Sequence, residues 1–185
     1  MDAEEPLILA SRSPQRQAIL EQLGIHFRVE EPDVEELTAG NPRWLVAENA
    51  RRKVGAVAGH RVLGVDTAVV LDGRAFGKPG DRPEAERFLR RLSGRTHEVM
   101  SGIALRTGRE ERSEVAVTRV RFRRLTPDDL DWYLASGEWR ERAGGYAIQA
   151  RGAALVQEIE GDYWNVVGLP VATLLRLAPD LLRRR

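Results

Sequence analysis

The hydrophobic pattern of this chain alternates between stretches with the period of a strand and stretches with the period of a helix, and Gly, Pro and Asp mark most of the changes. Leu7–Ala10 is an apolar run between Pro6 and Ser11 and predicts a buried first strand. Ser13 and Pro14 then open a helix carried by Ile19, Leu20 and Leu23, and Gly24 stops it. Phe27–Val29 predicts a second strand, which runs into the acidic loop Pro32-Asp33-Val34-Glu35-Glu36. Asn41-Pro42 opens a second helix through Trp44, Leu45, Val46, Ala50, Val54 and Val57, with Gly59 as its stop. Residues 62–65 predict a strand, residues 68–71 continue in extended form, and Asp72-Gly73 is a type I′ turn pair from which Ala75-Phe76 return.

A third helix is predicted over Arg82–Leu92, begun at Asp81 and ended by Ser93-Gly94. Residues 97–106 and 113–123 alternate as two strands around the turn at Thr107-Gly108. Thr126-Pro127 opens a fourth helix with Asp129 placed for a capping box, and Ser136-Gly137 ends it. Residues 146–150 and 153–159 read as strands interrupted by Arg151-Gly152, and Gly161-Asp162 turn the chain into Tyr163 and Trp164. Leu169-Pro170 starts a last helix that frays into Arg183, Arg184 and Arg185. No repeat, heptad array or low-complexity linker interrupts this order. It predicts one α/β domain over residues 1–185, with two lobes around a cleft.

The 185 residues are enough for a real core, and 42% hydrophobic with 31% charged residues is the balance of a soluble globular domain. The 29 basic and 28 acidic residues leave a net charge of +1, which provides no general attraction for nucleic acid despite the arginines at the end. Zero cysteines exclude disulfides, thiol chemistry and thiolate metal ligation. No apolar stretch approaches the roughly 20 residues that span a bilayer. The acidic start is a poor signal peptide, and a cytoplasmic location is the expectation.

Candidate chemistry gathers at a few junctions. Unpaired N–H groups and the helix field make the first strand-to-helix junction an anion site, to which Ser11, Ser13 and Arg16 add donors. Simple helix capping by the serines is the alternative. The predicted strand ends at Asp66, whose carboxylate can hold Mg²⁺ or Mn²⁺, take a proton from water, or merely satisfy turn amides. Thr67 can contact a base or a phosphate. Lys78, fixed between Gly77 and Pro79, suits a triphosphate chain. Lys53 reads by default as solvated helix charge. Glu35 and Glu36 could join Asp66 in a hard-cation site or could be wet acidic surface. Gln149 offers an amide that can pair with a nucleobase edge or tie down a loop. His26, His60 and His97 lack zinc-ligand spacing. Neither a Gly-rich triphosphate loop ending in Gly-Lys-Ser/Thr nor a dinucleotide-binding Gly-rich motif is present, which argues against hydride transfer.

Taken in order, Leu9-Ala10-Ser11-Arg12-Ser13-Pro14-Gln15-Arg16, Asp33-Val34-Glu35-Glu36, residues 50–53, Gly64-Val65-Asp66-Thr67, Gly77-Lys78-Pro79, Ser93-Gly94-Arg95-Thr96-His97-Glu98-Val99, Gly144-Gly145-Tyr146-Ala147-Ile148-Gln149 and Val166-Val167-Gly168-Leu169-Pro170 resemble the Maf family of nucleoside triphosphate pyrophosphatases. The resemblance runs from residue 7 to about residue 175. It implies a mixed central sheet with flanking helices, related to inosine triphosphate pyrophosphatases, and hydrolysis of a nucleoside triphosphate to monophosphate and pyrophosphate with a divalent cation, Mg²⁺ or Mn²⁺. Asp66 matches the family's catalytic acidic residue, which either activates water or holds the metal that does, and Ser11, Arg16, Glu36, Lys53 and Lys78 match its polar positions around phosphates and metal, with Asp66 and Glu36 on the metal. Thr67 and Gln149 resemble the branch acting on dTTP and UTP rather than the branch acting on 7-methyl-GTP. Gln15 departs from that branch's usual Arg, and Arg12 is the expected stand-in for base selection, beside Ser13. The resemblance further implies a homodimer. A pyrophosphatase acting on 7-methyl-GTP or other modified nucleotides and a nucleotide-binding regulator of cell division without significant catalysis are the other readings left open.

Overall fold

The computed structural model describes residues 6–182; the acidic start and the arginines at positions 183–185 lie outside the described residues. In chain order the elements are β1 (Leu7–Ala10), α1 (Pro14–Gln22), β2 (Phe27–Val29), α2 (Pro42–Gly55), β3 (Arg61–Leu71), β4 (Arg74–Phe76), α3 (Arg82–Leu92), β5 (Thr96–Thr107), β6 (Glu110–Phe122), α4 (Pro127–Ala135), β7 (Val156–Glu160), α5 (Tyr163–Val167) and α6 (Val171–Leu177), with 3₁₀ turns at Ala143–Gly145 and Arg151–Leu155. The strands form one mixed sheet in the order β2-β1-β3-β5-β6-β7, with β4 also on β3. β2, β1 and β3 are parallel, whereas the pairs β3–β4, β3–β5, β5–β6 and β6–β7 are antiparallel. This is the mixed α/β architecture expected from the sequence. No helix among the described residues is long and apolar enough to cross a membrane.

The helix starts follow the chemistry of their caps. The Asn41 side chain accepts hydrogen bonds from the N–H groups of Arg43 and Trp44, Asp81 accepts from Glu84, and Thr126 and Asp129 form the reciprocal capping box. α2 ends at Gly55, before the expected stop at Gly59. The apolar run of β1 is buried on both faces. Leu7 and Leu9 join a core with Ile19, Leu63, Ile103 and Leu174, while Ile8 and Ala10 pack with Ala50, Val54 and Val62 under α2. A further core, built on Val69, Phe76, Leu89, Val99, Phe122 and Tyr133, lies toward the other end of β3.

Two sequence readings need correction. β3 does not end at Asp66. It is a single 11-residue strand, and ten consecutive pairs with β5, from Arg61↔Thr107 to Val70↔Glu98, carry it through the carboxylate. Residues 146–150 are not a strand. Tyr146 and Ile148 are buried on either side of half-buried Ala147, which mimics a strand period, but the Ala147 N–H goes to the Tyr133 hydroxyl and the chain turns through Gly144 and Gly145. Regular pairing with β6 starts only at Val156.

Candidate active site

The edge of β3 facing β1 is interrupted in the middle. β1 pairs with Val62, Leu63 and Gly64 and then leaves the sheet, and β4 pairs with Val69, Val70 and Leu71. Residues 65–68 therefore have a strand partner on the β5 side alone. Asp66, Thr67 and Ala68 are half-buried in a strand whose preceding and following residues, Val65 and Val69, are fully buried. In open α/β sheets a ligand sits beyond the carboxyl end of a strand. Here that end belongs to β1, and Asp66 lies just past its level.

Strand alternation sends Asp66 and Thr67 to opposite faces. On one face, α2 lies close against the sheet because Gly64 and Gly102 have no side chains. A Cβ at Gly64 would stand 2.3 Å from the Ala50 carbonyl oxygen, and one at Gly102 would stand 2.0 Å from that of Val46. This approach delivers Lys53 and Asn49, one turn apart, to the Asp66 carboxylate. Lys53 Nζ is 2.8 Å from Asp66 Oδ1 and 2.7 Å from Glu36 Oε1, and it donates to the Val65 carbonyl at 3.2 Å. Asn49 Nδ2 donates to Asp66 Oδ2 at 3.1 Å. Lys53 is thus buried and doubly paired, which overturns its reading as solvated helix charge.

On the other face, Arg16 is fixed by three partners. Its Nη1 donates to Ser11 Oγ at 2.9 Å, its Nε to the Gly168 carbonyl at 2.9 Å, and its Nη2 to Thr67 Oγ1 at 3.2 Å. Thr67 Oγ1 lies 2.8 Å from the buried Ser101 hydroxyl. Ser13 stands at the N-cap of α1 with Pro14 next, yet its hydroxyl donates to Gln15 Oε1 rather than capping. Ser11 Oγ accepts the Ser13 N–H and the Arg16 guanidinium.

Charge ties the two faces together. Burial pulls the Arg16 pKa below its usual value, while the negative charges of Asp66 and Glu36 oppose that shift. Burial pushes the Glu36 carboxyl up, but this is outweighed by the charge and hydrogen bond of Lys53 together with the charges of Lys78 and Arg16, so the carboxyl titrates below its ordinary range. Arg16, Lys53 and Lys78 therefore all act on one carboxylate. Lys78 is itself exposed, 2.9 Å from Glu141 Oε2, and its loop is docked by the Gly144 N–H on the Gly77 carbonyl.

Other expected residues lie outside this cluster. Arg12 extends to Glu31 Oε2 at 3.0 Å, and both side chains are exposed. Gln149 is exposed in a turn. Glu35, unlike Glu36, contributes a backbone carbonyl, to Arg52. A separate cavity of about 290 Å³, lined by Arg61, Thr107, Arg112 and Asp180, contains none of the candidate residues. Asn49 and Ser101 were not singled out from sequence. Asn49 was legible in principle: Leu45, Asn49 and Lys53 continue the stripe of Val46, Ala50 and Val54, so two polar residues occupy positions that face the sheet.

The oxygens around Lys53 also test the site for a metal. Asp66 Oδ1, Glu36 Oε1 and the Val65 carbonyl already surround one ammonium, and hard oxygens of this kind suit Mg²⁺ or Mn²⁺. Among the described residues no group of three or more His, Cys, Asp or Glu gathers around a common point. Mg²⁺ is commonly bound by one or two carboxylates with water and phosphate in its other positions, so the two carboxylates here would fit it.

Known proteins share this arrangement of sequence. A protein of Symbiobacterium thermophilum named dTTP/UTP pyrophosphatase is 50% identical over 173 residues, covering 90% of this chain and 89% of that protein. One of Thermus thermophilus with the same name is 49% identical over 173 residues, covering 93% and 92%. A HAM1 protein structure from Coxiella burnetii aligns with a TM-score of 0.48 at 18% identity, covering 80% of this chain and 90% of that one. The family described as Maf-like protein matches residues 6–181, a span that takes in β1, the α2 clamp, β3 and the Lys78 loop, and the chain belongs to that family.

Proposed function

We propose that this chain hydrolyses a nucleoside triphosphate, with dTTP and UTP favoured, to the nucleoside monophosphate and pyrophosphate. The observation that carries the reading is Lys53 paired with both Asp66 and Glu36 at the open edge of β3, with Arg16 held on the adjacent strand residue, Thr67. The two relatives named as dTTP/UTP pyrophosphatases support the choice of base.

In this reading Arg16 is a preset cation. Its guanidinium is oriented by Ser11, Thr67 and Gly168, so little ordering remains when a phosphate arrives. Lys78 is a mobile cation that exchanges Glu141 for phosphate oxygens. The amides at the start of α1, which no side chain caps, add donors for the same anion. Asp66 accepts a proton from the water whose oxygen bonds to the α-phosphorus. The bond from that phosphorus to the bridging oxygen breaks, and the pair of electrons leaves with pyrophosphate. Arg16 and Lys78 face the charge that grows on the leaving group. Three cations against Asp66 and Glu36 leave one surplus positive charge, less than a triphosphate needs. Asp66 and Glu36 would hold a divalent cation, which when bound supplies further charge neutralisation and Lewis acidity.

Pyrophosphate release across canonical and modified nucleoside triphosphates, with Mg²⁺ and with Mn²⁺, tests the reading. Asp66→Asn should lower turnover at least about a hundredfold with folding intact. Release from no nucleotide under metal saturation refutes the activity, a preference for methylated purines refutes the choice of base, and near-normal turnover of Asp66→Asn refutes the role of Asp66.

A further inference from the structure

We infer that Asn49 is a positioning residue that orients the Asp66 carboxylate and fixes the loop carrying Glu36, by one side-chain amide hydrogen-bonded to both. This inference rests on the proposed pyrophosphatase reading, in which both carboxylates serve the reaction.

The geometry is specific to an amide. Asn49 is 3% exposed. Its Oδ1 accepts the Leu37 N–H at 2.8 Å, and its Nδ2 donates to the Leu37 carbonyl at 3.0 Å. These two bonds repeat the pairing one residue makes with a strand neighbour, in a segment that has no regular secondary structure of its own. Glu36, the residue next to Leu37, is held at Lys53. The second Nδ2 hydrogen is left for Asp66 Oδ2, at 3.1 Å. One side chain therefore uses both of its hydrogens and its oxygen on the two acidic stations.

The consequence concerns which oxygen of Asp66 works. Lys53 holds Oδ1 and Asn49 holds Oδ2, so the plane of the carboxylate is set by two residues one helical turn apart on α2. The buried Lys53 ammonium is shared among Asp66 Oδ1, Glu36 Oε1 and the Val65 carbonyl and can turn on its stem between them when substrate or cation arrives; an amide tied by two bonds to the Leu37 backbone cannot. Asn49 thus keeps Oδ2 engaged and leaves Oδ1 for water or cation. Leucine at this position would fill the space, but it would abandon the Leu37 N–H and one oxygen of Asp66. Aspartate would still accept from Leu37 but would turn a repelling carboxylate toward Asp66.

That difference supplies the test on the full chain. In Asn49→Asp, exchange of the Leu37 amide followed by NMR should stay slow, while kcat for pyrophosphate release falls at least about tenfold and KM for nucleotide changes less than about threefold. In Asn49→Leu, amide exchange should accelerate and kcat should fall together, because loop and carboxylate are both released. A wild-type kcat in Asn49→Asp overturns the inference, since anchoring the loop would then be all that Asn49 does. An Asn49→Asp chain that does not fold also overturns it and assigns the residue to stability. If the wild-type chain releases no pyrophosphate, the pyrophosphatase reading fails separately. The contact is then read from the Asn49 side-chain amide resonances, which should shift in Asp66→Ala; unchanged resonances overturn the inference.

Discussion

Replacing Gly102 with alanine should damage the candidate site without touching any of its polar residues. The added Cβ would lie 2.0 Å from the Val46 carbonyl oxygen, 2.3 Å from its carbon and 2.6 Å from the Ala47 nitrogen. All three atoms are helix backbone and cannot rotate away. Ordinary contact needs roughly 3.5 Å, so α2 and β5 must separate by about 1 Å or more. Overpacking of this kind costs about 1–3 kcal/mol. The same displacement carries Lys53 and Asn49 away from Asp66. The Lys53–Asp66 contact, 2.8 Å in the structure, then exceeds hydrogen-bonding distance. A misplacement near 1 Å reduces turnover by about a hundredfold. Urea unfolding measures the first effect, and pyrophosphate release well below the unfolding transition measures the second. Gly55→Ala is the control on the same helix. Nothing lies within 4 Å of its added Cβ, and alanine there should stabilise by up to about 1 kcal/mol with activity unchanged. Gly102→Ala with lowered stability but wild-type turnover would show that the close approach of α2 serves packing alone. Wild-type values of both would refute the steric argument itself.

Three further outcomes follow from charge. His97 is 1% exposed beside Phe122 with Nε2 2.8 Å from the Tyr146 hydroxyl, and burial lowers its pKa to about 4 from an ordinary 6.5. The unfolded chain therefore binds this proton more readily, so the stability contributed by neutral His97 is complete above pH 6.5 and is lost as pH falls toward 4, by up to about 3 kcal/mol. Urea midpoints measured across that window should drop in the wild type and drop less in His97→Gln; equal slopes would remove His97 from the account. Lys78→Ala should raise KM for nucleotide and lower kcat, whereas Glu141→Gln releases an exposed ion pair worth up to about 1 kcal/mol and should lower KM by as much as about fivefold. A higher KM in Glu141→Gln would show that Glu141 assists Lys78 rather than competing with substrate.

The elements whose signals are local were legible in the sequence. Asn41-Pro42, Asp81 and Thr126 with Asp129 each name a helix start by the chemistry of a few neighbouring residues, and the structure uses each as a cap. Continuity of β3 was not legible, because an acidic residue followed by a hydroxyl inside an apolar run resembles a strand end. What carries the strand through is its ladder with β5, a contact between segments far apart in sequence. Lys53 was misread for a related reason. Its charge suggested solvent, but its place in the stripe with Leu45 and Asn49 predicts burial, and the pattern outweighs the charge where a carboxylate is waiting. The role of Arg12 rests on resemblance alone, and that of Gln149 on the chemistry of its amide together with the resemblance. Their exposed side chains in the structure give neither role added weight.

The arrangement of β3 explains why neighbouring residues can serve different halves of one site. Its alternation turns Asp66 toward α2 and Thr67 toward Arg16, so the acid–amine half and the guanidinium half approach from opposite faces of the sheet. In a fully paired strand those halves would be separated by the sheet. Between the departure of β1 after Ala10 and the arrival of β4 at Phe76, the edge of β3 is open, and there the two halves face one another around a single backbone. Arg16 is held at Thr67 Oγ1 and Lys53 at Asp66 Oδ1, on consecutive residues of that backbone. A polyphosphate is long and flexible enough to bend around such an edge with cations on either side. A flat sheet with β1 extended by a few residues would keep each of these side chains and lose their convergence.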